Sequence, residues 1–165
     1  MKRSLLTSTR GVTLIELIII VAVMGILYGI LTLSFDVAKA NTRFSKIKGD
    51  MDGIAKTAYN DYTSNGVWAP ITFGSMPPNW TGTGDLSQWP IPPCPGWYYS
   101  WEDWSAFGYP ATQVTLRRAN NTILWGFCLD TQGGSASCQV TDPIFGVGNA
   151  ADITSLGTHA VYCTE

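Results

Sequence analysis

RGVTLIEL, residues 10–17, and the apolar residues 18–33 that follow it decide the fold of this chain. About twenty apolar residues cross the hydrocarbon of a bilayer as a helix, because each residue adds about 1.5 Å. One carboxylate, that of Glu16, stands at the start of this stretch, where an ionised group costs several kcal/mol unless it has a partner. The stretch therefore predicts a membrane-crossing helix with a positive charge matched to Glu16.

A cut after Gly11 would create that positive charge, since it frees the amine of Val12 only four residues before Glu16. The segment before the cut is basic, with Lys2, Arg3 and Arg10. Basic residues next to a span are retained on the cytoplasmic side, so the rest of the chain is expected beyond the membrane.

These residues resemble the start of type IV pilins and of the pseudopilins of type II secretion. The resemblance implies that residues 1–11 are a leader, which prepilin peptidase removes by cutting after Gly11. Val12, which stands where the family most often has Phe, would become the N-methylated terminus. Glu16 would guide assembly by pairing with the terminal amine of a neighbouring subunit.

The resemblance also implies an α+β pilin fold with four parts. After the leader come residues 12–34, the transmembrane and filament-core half of a long helix that protrudes, and residues 35–66, its amphipathic half packed on a small antiparallel sheet. Residues 67–165 would be a disulfide-linked head, periplasmic or extracellular. The subunit would sit in the inner membrane as a single-pass protein and then enter a cell-surface or periplasmic filament.

The partners implied are identical or related subunits, the peptidase, membrane lipid before assembly, and an inner-membrane platform with its ATPase. A pilus subunit and a major pseudopilin of a type II secretion system remain alternatives. The helix and the region of Asp152 resemble pseudopilins, whereas the cysteines and the aromatic head resemble pilins.

Beyond the apolar half, apolar residues recur at spacings of three and four, which places them on one stripe of an amphipathic helix. The stripe comprises Val37, Ala40, Phe44, Ile47, Met51, Ile54 and Ala58. Asn65 and Gly66 tolerate the left-handed conformation that ends helices, so the helix should stop there. It would contain roughly fifty residues and measure about 75 Å.

After Gly66 the composition changes. Residues 67–96 hold seven prolines and predict a long irregular loop. Three strand-like runs follow, at residues 97–101, 113–117 and 122–129. We expect them to form an antiparallel sheet of about three strands that lies on the helical stripe.

Charge limits the classes of ligand. The chain is 13% charged, below the roughly 25% usual for soluble domains. Residues 12–165 carry seven basic and twelve acidic residues, a formal charge of −5. From residue 67 onward only Arg117 and Arg118 are basic, which argues against nucleic acid as a direct ligand, since phosphate binding needs clustered cations.

The cysteines number four, all beyond the helix, which indicates two disulfides in an oxidising compartment. Of the three possible pairings, we favour Cys128 with Cys138, across a Gly-Gly turn. Cys94 with Cys163 would then tie down the C-terminus. Free buried thiols are the alternative. A zinc site is disfavoured because there is no Cys-x-x-Cys pair and only one histidine, His159.

An aromatic cluster could form either a sugar-binding patch or ordinary core and subunit contacts. We favour the second interpretation, because Trp97, Tyr99 and Trp101 would share one face of a strand, with Tyr98 and Ser100 on the other. The cluster consists of Trp89, Trp97, Tyr98, Tyr99, Trp101, Trp104, Phe107 and Tyr109.

Residues 148–155 resemble the C-terminal loop of major pseudopilins, where acidic and other oxygens bind calcium. Calcium takes six to eight oxygen ligands, and Asp142, Asp152 and Ser155 could supply some of them. Few acids stand here, so a turn in which Asp152 accepts hydrogen bonds from nearby amides is the alternative. Calcium is the one cofactor that the sequence suggests.

Catalysis has little support in the sequence, which has no phosphate loop, nucleophile elbow or histidine pair for a metal. We expect a structural protein, with His159 as a surface or packing residue.

Two further interpretations remain. Ala38-Lys39-Ala40 fits signal peptidase I, which would release a secreted binding protein, but the apolar stretch is long for a signal peptide and Glu16 would have no role. A single-span membrane-anchored enzyme would keep its leader.

Overall fold

The structure is a computed structural model, and it describes residues 11–80, 86, 88–109, 112–129, 140, 142–143 and 150–163. The elements are, in order, α1 (Leu14–Asn65), β1 (Thr72–Phe73), β2 (Trp97–Asp103), β3 (Thr112–Arg118), β4 (Ile123–Leu129) and β5 (Ala151–Asp152). Short 3-10 turns occupy Pro78–Trp80, Ser105–Phe107 and Ile153–Ser155. The chain forms two compact units, Met1–Lys39 and Ala40–Glu165.

The predicted long helix is α1, of 52 residues. Its end agrees with the sequence: the helix stops at Asn65, and Gly66 has a φ of 72° and donates its N–H to the carbonyl of Tyr62 at 2.7 Å. A residue without a Cβ adopts this left-handed conformation at little cost, which explains the position of the stop.

The predicted stripe is buried from Ala40 onward. Six of its seven members are at most 4% exposed: Ala40, Phe44, Ile47, Met51, Ile54 and Ala58. Val37 is the exception at 50% exposed, because the second compact unit, whose core covers the stripe, begins only at Ala40. There the backbone N–H of Val161 donates to the carbonyl of Ala40 at 3.1 Å.

The three predicted strands are present as β2, β3 and β4, but the described residues form a sheet of five strands, in the order β1-β2-β3-β4-β5. The sheet is also mixed, which corrects the antiparallel prediction: β5 pairs parallel with β4, through Trp125 opposite Ala151 and Gly126 opposite Asp152. The edge strands β1 and β5 have two residues each, too few for a period-two pattern to reveal them. The segment predicted as wholly irregular thus contains β1 and one 3-10 turn.

One face of the sheet contributes to the core as predicted. Tyr99 and Trp101 in β2 and Val114 and Leu116 in β3 are fully buried in the cluster that contains the stripe. Within this core, the indole of Trp101 donates to the carbonyl of Ala69 at 3.0 Å. The phenol of Tyr99 donates to Asp50 at 2.8 Å, and burial together with the negative charge of Asp50 raises its pKa, so it remains a donor.

The other face of the sheet corrects a second prediction, that it would form a subunit contact. Its polar side chains are fully buried within the chain itself: Ser100, Glu102, Gln113, Thr115 and Arg117. Val140 and Asp142, also buried, belong to the segment that follows β4, and Val140 packs with Ile123 and Cys128 in a second small core.

Gly126 in β4 is where this segment approaches the sheet most closely. A Cβ built on Gly126 would lie 2.3 Å from Cγ2 and 2.7 Å from Cγ1 of Val140. We expect Gly126→Ala to cost about 1–3 kcal/mol of unfolding free energy, the usual result of overpacking next to a stiff β-branched side chain. Thermal unfolding followed by tryptophan fluorescence measures the loss.

Gly157→Ala is the matched control, because a Cβ there meets nothing within 4 Å. Its cost should stay within about 0.5 kcal/mol, as for most surface substitutions. Adding Val140→Ala to Gly126→Ala should recover part of the loss. Equal stability of the two glycine variants would contradict the close approach.

The C-terminus is tied down by a disulfide between Cys94 and Cys163, whose Cα atoms are 5.3 Å apart. This is the pairing that the sequence favoured. Cys128 is also disulfide-bonded. Cys138, its expected partner, lies outside the described residues.

Candidate functional site

The predicted assembly residues lie at the start of α1, in the first compact unit. Residues 11–13 are not helical, and the helix begins at Leu14 with Thr13 as its cap. The backbone N–H of Thr13 donates to Oε2 of Glu16 at 2.8 Å, while the N–H of Glu16 donates to Oγ1 of Thr13 at 3.3 Å. This reciprocal pair is a capping box, which satisfies two backbone donors at the helix start.

The hydroxyl of Thr13 also donates to Oε2 of Glu16, at 2.8 Å. Glu16 thus has a local role in the helix cap that sequence reasoning missed, although the Thr-x-x-Glu spacing of 13–16 signals it. Val12, Glu16, Ile19 and Ile20 line a groove of about 310 Å³ on the helix. The carboxylate therefore stands beside an apolar groove and accepts two hydrogen bonds from Thr13.

The helix that follows presents apolar side chains throughout. Between Val12 and Val37 every one of the following is at least 47% exposed: Leu14, Ile15, Leu17, Ile18, Ile19, Ile20, Val21, Val23, Met24, Ile26, Leu27, Tyr28, Ile30, Leu31 and Phe35. An apolar surface of this extent marks contact with lipid or with other proteins. The helix is long and apolar enough to cross a membrane, a property that a signal sequence shares.

Two hydroxyls within this segment are satisfied by carbonyls of the helix itself. The hydroxyl of Thr32 donates to the carbonyl of Gly29 at 2.9 Å, and that of Ser34 donates to the carbonyl of Ile30 at 3.0 Å. Such internal bonding removes most of the cost of placing a hydroxyl in hydrocarbon. Gly25 and Gly29 have open space where a Cβ would be, which suits close approach of another helix.

The residues predicted to bind calcium have other partners. Asp142 is 7% exposed, and its Oδ2 accepts a hydrogen bond from Arg117 at 2.7 Å. Oδ1 of Asp152 accepts from the N–H of Thr154 at 2.8 Å and from its hydroxyl at 2.7 Å, which is the turn weighed as the alternative. Ser155 donates its hydroxyl to the carbonyl of Asp152. No group of three or more metal-ligating side chains is found among the described residues.

Arg117 is the centre of a buried ion cluster that the sequence did not predict. Its Nε donates to Oε1 of Glu102 at 2.8 Å, and its Nη1 donates to Asp142 and, at 2.8 Å, to the carbonyl of Asn121. Glu102 also accepts from Trp104 at 3.1 Å and from Gln113 at 2.9 Å, as well as from the hydroxyl of Thr115.

Burial alone would lower the pKa of Arg117, but the hydrogen bonds and charges of Glu102 and Asp142 raise it above its ordinary value. The guanidinium therefore remains charged and neutralises the carboxylates around it. Alternation along β2 and β3 places these polar residues on one face, and that pattern ordinarily indicates a solvated face. The contacts of the cluster join β2, β3 and the segment that follows β4, as in a network that stabilises the fold.

The aromatic residues divide between core and surface. Tyr99, Trp101 and Trp104 are buried, whereas Phe107 is 64% and Tyr109 44% exposed. His159 is exposed and rests against two rings, 5.7 Å from that of Phe44 and 5.8 Å from that of Trp125. His159 is therefore a surface residue whose ring also packs against Phe44 and Trp125.

The structure thus places Val12 and Glu16 beside one groove. It joins Cys94 to Cys163 by a disulfide, and it pairs Asp142 with Arg117 of β3. Comparison of the chain with protein-family models, with curated proteins and with solved structures found no match.

Proposed function

We propose that this chain is a structural subunit of a type IV pilus-like filament, processed by prepilin peptidase and assembled through its N-terminal helix. Its role is mechanical and not catalytic. The supporting observation is the combination, at one helix start, of a Gly-Val peptide bond, an oriented carboxylate and a long exposed apolar surface. That apolar surface must be removed from water. Lipid covers it before assembly, and other subunits cover it in the filament.

The mechanism has three steps. The basic leader, with Lys2, Arg3 and Arg10, holds the N-terminus on the cytoplasmic side while the helix crosses the membrane. Cleavage after Gly11 frees the amine of Val12, which becomes methylated. An ATPase-driven platform then moves the subunit out of the membrane, and Glu16 pairs with the terminal amine of an adjacent subunit as apolar helices replace lipid.

The pairing of Glu16 has a physical reason. A carboxylate carried into an apolar bundle without a partner costs several kcal/mol, and a terminal ammonium in the adjacent subunit offsets this cost. Only a subunit in the correct register brings the two charges together, so the pair favours one helical arrangement over others.

The geometry of Ala40 supports this proposal over an ordinary signal peptide. Ala40 is fully buried within the core of the second unit, and its carbonyl accepts the N–H of Val161 at 3.1 Å. A signal peptidase cut after Ala38-Lys39-Ala40 would divide α1 between Ala40 and Asn41. It would therefore remove Ala40, which is buried in the core.

Replacement of Gly11 by leucine should block processing, because the peptidase must accommodate the residue before the cut in a confined site. We expect an uncleaved, membrane-retained precursor and no filaments. Gly49→Leu is the control, since Gly49 also has open space around it and lies far from the cut. Intact-mass measurement distinguishes a chain that starts at Met1 from one that starts at Val12.

Electron microscopy of material sheared from cells tests the filament itself. Filaments that contain this chain, with Val12 as its first residue, are the expected result. Filaments found on the cell surface indicate a pilus, while filaments found only on overexpression, together with a defect in protein export on deletion, indicate a secretion pseudopilus. A mature chain that starts at Asn41 would contradict both.

A further inference from the structure

We infer that copies of this chain dock head to tail through their second units, with a hairpin tip of one copy seated in a groove of the next. The groove, which we call the lysine groove, is lined by Phe44, Ser45, Lys48, Leu156, Gly157 and Thr158. The tip, which we call the aromatic tip, consists of Asp103, Phe107 and Tyr109 at the turn between β2 and β3. The inference rests on the proposed filament, which brings copies of the chain together, and it names a contact between their second units.

The lysine groove lies between α1 and the segment that follows β5. Its volume is about 320 Å³, near the lower end of the range of about 300–1,000 Å³ for binding pockets, so it accommodates a few side chains. Phe44, which is 4% exposed, and Leu156, which is half-buried, supply apolar walls. Gly157 contributes no side chain, and a Cβ there would meet nothing within 4 Å. The groove is thus an apolar recess with room for a side chain from outside.

Lys48 gives the groove a positive charge that the helix does not neutralise. Within the described part of the chain, Lys46 pairs with Asp50, and Lys56 pairs with Asp52. Lys48 takes part in no ion pair among the described residues. Its side chain is half-buried, where a charge interacts more strongly with a partner than it does in bulk water. The groove therefore favours an occupant that combines apolar side chains with a carboxylate.

The aromatic tip has this combination on an ordered turn. Phe107 is 64% exposed and Tyr109 is 44% exposed, while Asp103 stands at the base of the turn. Asp103 accepts the N–H of Ser105 at 3.1 Å, and the carbonyl of Trp104 accepts the N–H groups of Phe107 at 3.0 Å and of Tyr109 at 3.2 Å. A turn that is ordered before it binds loses little conformational entropy on binding, and aromatic side chains are enriched at protein interfaces.

Groove and tip lie near opposite ends of the sheet. The ring of Phe44, in the groove, is 5.7 Å from that of Trp125, which is 6.4 Å from that of Trp97, the first residue of β2. Asp103 is the last residue of β2, about 20 Å further along the strand, and the chain continues from there into the turn. The tip of one copy therefore fits the groove of another copy and not its own.

Charge also favours a second copy as the occupant. Within the second unit, residues 40–66 carry a formal charge of +1, whereas residues 67–165 carry −5. Among the described residues, the donors to Asp103 are uncharged groups of Ser105 and Thr112. Its negative charge is therefore available to Lys48 of the next copy, and the acidic part of one unit faces the basic part of another.

This contact joins two different surfaces, so it is heterologous. Each copy keeps a free tip at one end and a free groove at the other, and repetition builds an open helical array unless the rotation closes a ring. A groove of this size engages few side chains, whereas stable interfaces bury about 1,200–2,000 Å² in total. The docking therefore supplements the bundling of the apolar helices and does not replace it.

Photo-cross-linking of the full chain in cells tests the contact. With benzoylphenylalanine in place of Phe107, ultraviolet light should produce a covalent dimer in which residue 107 is bonded to a residue of the lysine groove, as mass spectrometry of the digested dimer determines. The matched control carries the same photoreactive residue in place of Ile91, which is 81% exposed and whose carbonyl accepts Nζ of Lys46 at 2.9 Å. It should give no dimer linked to the groove, because two groove ends do not meet in head-to-tail docking.

A side chain that fills the groove should prevent the cross-link. Gly157→Leu adds bulk at the groove lining, where the chain itself leaves open space, so we expect the dimer fraction to fall at least about fivefold. Gly49→Leu is the control, since Gly49 also has open space around it but does not line the groove. An unchanged midpoint of thermal unfolding, followed by tryptophan fluorescence, verifies that each variant is folded.

Charge variants test the pairing of Lys48 with Asp103. Lys48→Gln should lower the dimer fraction about two- to fivefold, the usual effect of one exposed ion pair. Asp103→Asn should do the same, although it keeps an oxygen that accepts the N–H of Ser105. The double variant should lose no more than either single variant, because both remove the same pair. Lys56→Gln, which removes a lysine already paired with Asp52, should leave the fraction unchanged.

Filaments that contain this chain but show no tip-to-groove cross-link would overturn the inference and leave the proposed function in place. A cross-link from residue 107 to a different protein, or one that Gly157→Leu does not reduce, would also overturn it. Absence of both filaments and cross-links would overturn both proposals. Tip-to-groove dimers in the membranes of cells without filaments would support the docking and contradict the filament.

Discussion

Glu16→Ala should be inserted in the membrane and cleaved after Gly11 like the unchanged chain, yet assemble at least about a hundredfold less well. In the proposed filament, the ammonium of Val12 would lose its partner within an apolar bundle. Removal of one member of a buried ion pair costs about 3–5 kcal/mol, and about 3 kcal/mol corresponds to more than a hundredfold in an equilibrium constant. Quantification of the sheared filament fraction, with intact masses for the processed chain, measures the effect.

The capping box gives Glu16→Ala a second possible cause, which Glu16→Gln separates from the first. Glutamine retains a side-chain oxygen that accepts the N–H of Thr13, so the cap survives, but it has no charge to match an amine. If charge pairing drives assembly, Glu16→Gln should fail nearly as completely as Glu16→Ala. Normal filament yield from Glu16→Gln would disprove the pairing and leave Glu16 with its local role.

Thr13→Val is the matched control for the cap. It removes the hydroxyl that accepts the N–H of Glu16 and donates to its carboxylate, while the charge stays in place. Loss of a cap typically costs about 1 kcal/mol, so assembly should fall by about fivefold at most. An effect as large as that of Glu16→Ala would show that helix-start geometry, and not charge, limits assembly.

The long helix could be predicted because its evidence is local and continuous. Apolar periodicity, the lack of proline and the Asn65-Gly66 stop all lie within the helix itself. Strands β2, β3 and β4 were predictable for the same reason, since each has seven residues and shows its own composition. The two-residue edge strands contain no pattern of their own, and their pairing depends on distant partners.

The buried outer face of the sheet could not be read from strand alternation. Glu102, Gln113 and Arg117 have the side chains of a solvated face, and their burial depends on tertiary contacts such as that of Asp142 with Arg117. One local sign was present: Gly126 interrupts β4, and a glycine inside a strand often marks the close approach of another backbone.

At the candidate site, sequence alone singled out Glu16, because a lone charge in an apolar stretch is conspicuous, but it did not reveal the groove beside it. The sequence analysis did not identify the helix cap, although Thr13 and Glu16, which form it, are only three residues apart. For Asp142 the resemblance suggested a calcium ligand, and the sequence did not reveal its contact with Arg117, which joins residues 25 apart in the chain. Contacts at that separation depend on the register of the sheet, which composition does not encode.

The second large effect concerns Arg117 and its contacts with Glu102 and Asp142. Arg117→Met should lower the unfolding free energy of the head by about 3–5 kcal/mol, because it leaves Glu102 and Asp142 buried without their cation. Arg117 and both carboxylates have side chains that are 0% exposed, so water cannot replace the guanidinium. The cation also lies 5.5 Å from the ring of Phe73, a contact that the variant loses.

Thermal unfolding of the full chain in detergent, followed by tryptophan fluorescence, reports this loss, since all seven tryptophans lie beyond residue 67. The midpoint should fall by roughly 10 °C or more. Arg118→Met is the matched control: Arg118 is the half-buried next residue in β3, and its loss should cost less than about 1 kcal/mol, as for most exposed charges.

A triple variant, Arg117→Met with Glu102→Gln and Asp142→Asn, separates charge from packing. It removes every charge of the cluster but keeps side chains of similar size, so it should be more stable than Arg117→Met alone. Buried ion pairs contribute little relative to neutral groups of the same shape, and the penalty arises when one partner is left behind. A triple variant no more stable than the single one would mean that Arg117 acts through its bond to the carbonyl of Asn121 and through packing. In that case the hydrogen bond from Arg117 to Asn121, which joins β3 to the turn before β4, would contribute more to stability than the contacts with the carboxylates.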